Sequence, residues 1–174
     1  MLHQHDVFLS LFMHFVYLLL GSNLGDSKTV LKSALLLIEE EIGKIVKLSA
    51  SYRTAPWGVT DQPDYLNQVA KVETALSAHD TLRGVLEIEK WLGRIRKEKW
   101  EARIIDIDIL YFDNCIINEP DLKIPHPLLH LRKFVLVPLN EIAPDFVHPG
   151  FNTSNSHLLA QLDDRSSVER KEEN

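Results

Sequence analysis

The chain has 174 residues, 45% of them hydrophobic, with a formal charge of −6 and a pI near 5.7. This size and apolar content suit one domain with its own core, and the acidic balance excludes a broad basic surface for nucleic acid or an anionic membrane. The single cysteine, Cys115, excludes an intrachain disulfide framework, suits a reducing cytoplasm, and in its apolar context reads as a small buried hydrophobe in a strand.

Val7 to Leu20 is an apolar stretch like the hydrophobic part of a signal peptide, but no Lys or Arg precedes Lys28, and Asp6 stands where a positive flank belongs. Phe15 to Leu20 therefore reads as the first core strand, with residues 1–14 as an extension. Turn formers follow at Gly21-Ser22-Asn23-Leu24-Gly25-Asp26. Val30, Leu31, Ala34, Leu35, Ile38 and Ile42 then recur at helical spacing up to Gly43.

Ile45 to Tyr52 alternates as a second strand, and an aperiodic loop from Arg53 to Asp64 leads into a third, Tyr65 to Thr74. A loop of that length inside a small domain usually carries function. Ser77 with Asp80 starts a helix whose stripe runs through Leu82, Val85, Leu86 and Leu92. A charged run, Arg94 to Arg103, precedes the strand Ile104 to Phe112. A helix over Phe134 to Ile142 lies among prolines, and from Asp163 the chain loses apolar periodicity, so 163–174 reads as a disordered tail. The domain is thus placed at 15–162. The order β-α-β-β-α-β predicts a ferredoxin-like α+β fold, an antiparallel sheet with helices packed on one face.

In Ile104-Ile105-Asp106-Ile107-Asp108-Ile109 the isoleucines 105, 107 and 109 share one face of a central strand, and Asp106 and Asp108 share the other, roughly 7 Å apart at a rise of about 3.3 Å per residue. Nothing in the run itself neutralises them. One reading is a solvated strand face; the other is a site for Mg²⁺, which takes one or two carboxylates together with substrate phosphates. The same duality holds for the charged run. It is either a salt-bridged loop or a set of arginines for phosphate oxygens, with Trp100 available to stack. Trp57, Tyr65, Trp100 and Phe134 sit in or beside irregular segments, where they either pack in the core or sandwich a flat ligand. Asn67 could pair its amide with a heterocycle. His126 and Arg132 are further phosphate candidates. Gly21 to Lys28 lacks the ending of a Walker A loop, so this is not a P-loop kinase.

Gly21-Ser22-Asn23-Leu24-Gly25, Tyr52-Arg53-Thr54, Asp61-Gln62-Pro63-Asp64-Tyr65-Leu66-Asn67, Arg103 through Leu110, Pro125-His126-Pro127, and Arg132 with Phe134-Val135-Leu136 occur in an order that resembles the 6-hydroxymethyl-7,8-dihydropterin pyrophosphokinases, from about Val16 to Pro149. The resemblance implies transfer of pyrophosphate from ATP, as co-substrate, to the hydroxymethyl oxygen of a reduced pterin, releasing AMP, by a cytoplasmic monomer. It implies two Mg²⁺ ions on Asp106 and Asp108, a pterin pocket of Thr54, Trp57, Tyr65, Asn67 and Phe134, and ATP contacts from Glu89, Arg94, Arg96, Trp100, Arg103, His126 and Arg132. It also makes Arg94 and Arg103 catalytic cations. Glu101 departs from the family pattern, in a slightly shortened charged loop. Paired aspartates on such a sheet also suit palm-type nucleotidyl transferases or cyclases, and a non-catalytic ligand-binding module is a further alternative.

Overall fold

A computed structural model describes residues 13–56, 62–94 and 103–171. Nearly all of the expected N-terminal extension therefore lies outside the described residues; His14 already belongs to the first strand. That strand, β1 (His14–Ser22), is buried from Val16 to Ser22 because it runs between two partners with both faces covered. Val16, Leu18 and Leu20 point to one apolar cluster, and Tyr17 and Leu19 to another. This two-sided burial is why its sequence is a continuous apolar run with no polar alternation.

The helix α1 (Ser27–Glu41) starts where the Asp26 side chain accepts from the Thr29 amide, and it buries Leu31, Ala34 and Ile38. It stops at Gly43, where a side chain could not fit: a Cβ there would lie 2.2 Å from the Glu73 carbonyl oxygen. The expected second strand is divided into β2 (Lys44–Leu48) and β3 (Ser51–Thr54), both paired with β4 (Tyr65–Thr74). At the break Ser49 keeps the ladder satisfied: its amide donates to the Val69 carbonyl, its Oγ accepts from the Val69 amide, and its carbonyl accepts from Gln68 Nε2. The second helix, α2 (Ala78–Trp91), is capped by Ser77. It is followed by β5 (Asp106–Phe112), the small ladder of β6 (Ile117–Asn118) with β7 (Lys123–Ile124), and α3 (Lys133–Ile142). A hairpin of β8 (Val147–His148) and β9 (Thr153–Ser154), then α4 (Asn155–Gln161) and β10 (Val168–Lys171), complete the chain.

The antiparallel sheet runs β10-β3-β4-β1-β5, with β2 also on β4. The ferredoxin-like α+β fold is as expected, with four corrections. Helices cover both faces: α1 and α2 share a cluster with Ile105, Ile107 and Ile109, while α3 packs on Tyr17, Leu19, Val69 and Leu110 across the sheet. The strand β5 is at the edge of the sheet order and not at its centre; the segment after β7 lies along it, with the His126 amide donating to the Leu110 carbonyl. Cys115 is exposed in the turn after β5, because the chain reverses at Asp113, held in a left-handed conformation. Finally, the expected disordered tail contributes β10 (Val168–Lys171) to the sheet by pairing with β3, while residues 172–174 lie outside the described residues. Its stabilisation comes from backbone pairing and ion pairs, which leave no apolar periodicity to read.

Candidate active site

Directly paired residues of antiparallel strands share a face of the sheet. Asp106 pairs with Gly21 and Gly21 with Asn67, which forms one row; Asp108, Leu19 and Val69 form the next. The two aspartates thus lie on the α3 face, as their spacing predicts, and Asn67 is two strands away on the same face. Thr54 pairs with Tyr65 at the end of the neighbouring ladder, and Asn67 Nδ2 donates to Thr54 Oγ1 at 2.7 Å. Both partners are buried, so the Asn67 amide is held in one orientation. The glycine is required by this packing: a Cβ at Gly21 would come within 3.0 Å of Asn67 Oδ1.

Asp106 is the better compensated carboxylate. Arg94 reaches its Oδ1 at 2.7 Å, and Arg103 Nη1 binds its Oδ2. The sequence reading found no neutralising group in the strand; these arginines come from the charged run that precedes it. Arg94 also binds Glu89, which is buried in the apolar stripe of α2 and accepts from the Ile107 amide at 2.8 Å. Burial, and secondarily the charge of Asp106, raise the Glu89 carboxyl above the ordinary range, opposed by the Ile107 amide and Arg94. Glu89 therefore sits beneath Arg94 and ties it to β5.

Among the described residues no such arginine fork is on Asp108. Burial first, then the charges of Asp106 and Glu89, push its carboxyl up to about 7, against the opposing pull of Arg132 and Arg103. The His126 amide donates a hydrogen bond to the Leu110 carbonyl, which holds it along β5, and burial followed by Arg132 pushes its imidazole down to about 4, with Asp106 opposing. Arg132 is partly buried, which lowers its affinity for its proton, while Asp108 and Asp106 raise it. Its guanidinium carbon stands 5.7 Å from the ring centroid of Phe134, at the start of α3. Tyr65 is raised by burial and senses Arg103, Asp106 and Arg94, so the aromatic pocket and the carboxylate site share one electrostatic environment.

The structure brings together Thr54, Tyr65 and Asn67, and it gathers Glu89, Arg94, Arg103, Asp106, Asp108, His126 and Arg132 around the start of β5. Trp57, Arg96 and Trp100, with Glu101, lie outside the described residues. Asn23, which the sequence offers within a turn and a family motif but with no role of its own, is a further residue of the site. Asn23 is 3% exposed; its Oδ1 accepts from the Arg103 amide at 2.7 Å, and its Nδ2 donates to Gln62 Oε1 and the Pro63 carbonyl at 3.3 and 3.2 Å. It thereby joins Gln62 and Pro63 to Arg103. The available signal was a polar residue between two glycines directly after a core strand, a position where a side chain can turn inward.

Among the described residues no group of three or more His, Cys, Asp or Glu side chains could hold a metal. A hard cation on Asp106 and Asp108 would therefore draw oxygen ligands from elsewhere, the habit of Mg²⁺ with substrate phosphates. The paired carboxylates, one of them crowded by like charge, fit such an ion. No helix among the described residues is long and apolar enough to cross a membrane.

The family model for 7,8-dihydro-6-hydroxymethylpterin-pyrophosphokinase matches residues 17–144. A 2-amino-4-hydroxy-6-hydroxymethyldihydropteridine pyrophosphokinase from Methylorubrum extorquens is 43% identical over 90% of this chain and 98% of its own length. One from Haemophilus influenzae is 43% identical over 84% of this chain and 89% of its own. Among solved structures, wild-type HPPK-DHPS from Plasmodium falciparum superimposes with a TM-score of 0.71 at 18% identity, covering 86% of this chain and 44% of that one. The present chain thus spans less than half of that longer protein, and the likeness to it is one of fold. On the family match and the close relatives, the chain belongs to the 7,8-dihydro-6-hydroxymethylpterin-pyrophosphokinase family, enzymes that transfer pyrophosphate to a hydroxymethylpterin in folate synthesis.

Proposed function

We propose that this chain transfers the β,γ-pyrophosphoryl group of ATP to 6-hydroxymethyl-7,8-dihydropterin, releasing AMP, as a Mg²⁺-dependent cytoplasmic monomer. The observation that carries the reading is the placement of Asp106, Asp108 and Asn67 on one face of the sheet, in adjacent rows, with Arg94 and Arg103 on Asp106. A phosphate site and a heterocycle site two strands apart suit a reaction between a nucleotide and a flat alcohol.

Asn67, fixed by Thr54, reads the pterin edge, while Tyr65 and Phe134 hold its ring, with Trp57 completing the pocket. Arg94, Arg103, His126 and Arg132 receive the triphosphate, with Arg96 and Trp100 contributing from the loop between the arginines. In the transfer the pterin hydroxyl oxygen forms a bond to the β-phosphorus, the bond from that phosphorus to the α,β-bridging oxygen breaks, and the hydroxyl proton is lost. Two Mg²⁺ ions held by Asp106 and Asp108 would supply neutralisation of phosphate charge and acidification of the hydroxyl. The protein's share is positioning and electrostatics: Glu89 fixes Arg94, Asn23 fixes Arg103, and the donors are set before charge moves toward the leaving oxygen.

The test is incubation with ATP, Mg²⁺ and the reduced pterin alcohol. AMP and pterin diphosphate are expected in equal amounts, with none when Mg²⁺ is chelated. Release of pyrophosphate without AMP would point to nucleotidyl transfer and overturn the assignment, and gel filtration at the mass of more than one chain would overturn the monomer.

A further inference from the structure

We propose that the C-terminal segment Asp164–Lys171 positions the substrate pocket, with Asp164 as the residue that sets Arg132 and Phe134; the inference rests on the site reading above. The helix α3 begins directly after Arg132, and Arg132 makes no side-chain capping bond to it. The cap comes from far along the chain: Asp164 Oδ2 accepts from the Lys133 amide at 2.9 Å, and Oδ1 accepts from the Ser166 amide at 2.9 Å, which fixes the carboxylate. Lys133 Nζ donates to the Ser166 carbonyl at 3.0 Å, closing the connection. Hydrogen bonds from the Lys133 and Ser166 amides hold the Asp164 carboxyl below its ordinary range, outweighing partial burial. An ionised carboxylate at a helix start satisfies an otherwise orphan amide and complements the helix dipole.

The same segment then grips the other wall of the pocket. Val168 pairs with Thr54, and Lys171 with Ser51, so β10 braces the strand that presents Thr54 to Asn67. Arg53 and Glu169 form an ion pair at 2.7 Å. Arg170 reaches Glu141, near the far end of α3, at 3.3 Å, and Glu141 also accepts from the Ala50 amide and the Tyr52 hydroxyl. One short segment therefore links the start of α3, its end, and β3. Arg132 and Phe134 flank the capped residue, so loss of the cap frees the side chains assigned to phosphate and pterin. None of the segment's residues is placed against the reacting atoms; its effect is transmitted.

The test is steady-state kinetics of Asp164→Ala and Asp164→Asn, with pterin and ATP varied separately. KM does not depend on what fraction of the enzyme is folded, which separates positioning from simple loss of protein. Asp164→Ala is expected to raise KM for both substrates by roughly tenfold, and Asp164→Asn, which keeps one acceptor oxygen, by about threefold. Should Asp164→Ala fail to fold, the Asp164→Asn values alone decide. Unchanged KM values in the folded variant, or a fall in kcat that tracks only the folded fraction, would overturn the inference. Failure of the wild-type enzyme to release AMP would instead overturn the site reading itself.

Discussion

Replacing Asp108 by Asn should abolish transfer and yet stabilise the metal-free protein. The Asp108 carboxyl is pushed from an ordinary carboxylate value to about 7 by burial, Asp106 and Glu89. Between pH 4 and 7, roughly, the folded protein then binds a proton that the unfolded chain does not, so stability falls as pH rises through that window. At about 1.4 kcal/mol per unit, the shift sets a ceiling near 4 kcal/mol at pH 8. Asp108 keeps part of its surface in contact with solvent although protein atoms crowd it, so about half of that is the expected gain. For a chain of this size about 2 kcal/mol corresponds to a rise in Tm of roughly 4–8 °C. Thermal unfolding with a chelator at pH 8 should show the gain, and the gain should shrink as pH is lowered and be largely lost below about pH 3.8, where the carboxyl is protonated in the unfolded chain as well. Excess Mg²⁺ with nucleotide should stabilise wild type and not the variant. A variant less stable than wild type at pH 8, or a gain independent of pH, would refute the account of Asp108 as a carboxylate held against its own charge.

Gly21→Ala should weaken pterin binding by roughly tenfold with nucleotide binding little changed, because the new methyl presses on Asn67 Oδ1; calorimetry with each ligand alone separates the two. Asn23→Ala leaves the Arg103 amide without its acceptor and releases Pro63, and kcat should fall by at least about tenfold, read by single-turnover AMP formation. His126, with its imidazole pushed down to about 4, is neutral in the fold but protonates in the unfolded chain near pH 6.5. Its contribution is therefore present above pH 6.5 and is lost as pH falls toward 4, at most about 3 kcal/mol; His126→Gln should flatten the acid limb of a urea-unfolding series between those values.

The parts of the fold that the sequence made legible are those where one face decides the pattern. Alternation in β5 put Ile105, Ile107 and Ile109 into the core and both aspartates on the opposite side, because a strand has only two faces. The stripe of α1 and its stop at Gly43 were readable for the same reason. Where long-range partners decide, the sequence was silent. The position of β5 at the sheet edge depends on strand order, which local periodicity does not encode. The strand β10 is held by backbone pairing with β3 and by the Arg53–Glu169 ion pair, and polar residues that find partners more than a hundred positions away look like a solvated tail. At the candidate site, the ordered motifs singled out Asn67 and the aspartates, whereas the capture of Asp106 by Arg94 and Arg103 and the double role of Asn23 arise only when α2, β1 and β5 are brought together.

The two aspartates, identical in type and two residues apart, are given unequal environments by that assembly. Asp106 is drawn into a chain of opposite charges from Glu89 through Arg94 to Arg103, and this fixes its direction. Asp108 receives mainly the repulsion of its neighbours, with Arg132 and Arg103 as weaker compensation. A cation held by the pair would relieve the second carboxylate far more than the first, so much of its binding energy would come from the crowding of Asp108 in the free protein. On the proposed reading the arginines that hold Asp106 would also meet phosphate oxygens, since guanidinium forks can serve both kinds of anion. Arrival of a triphosphate with its cations would then redistribute contacts already formed, with Glu89 and Asn23 keeping the arginines in place while their partners change. That economy of movement is what pre-positioned electrostatic catalysis requires.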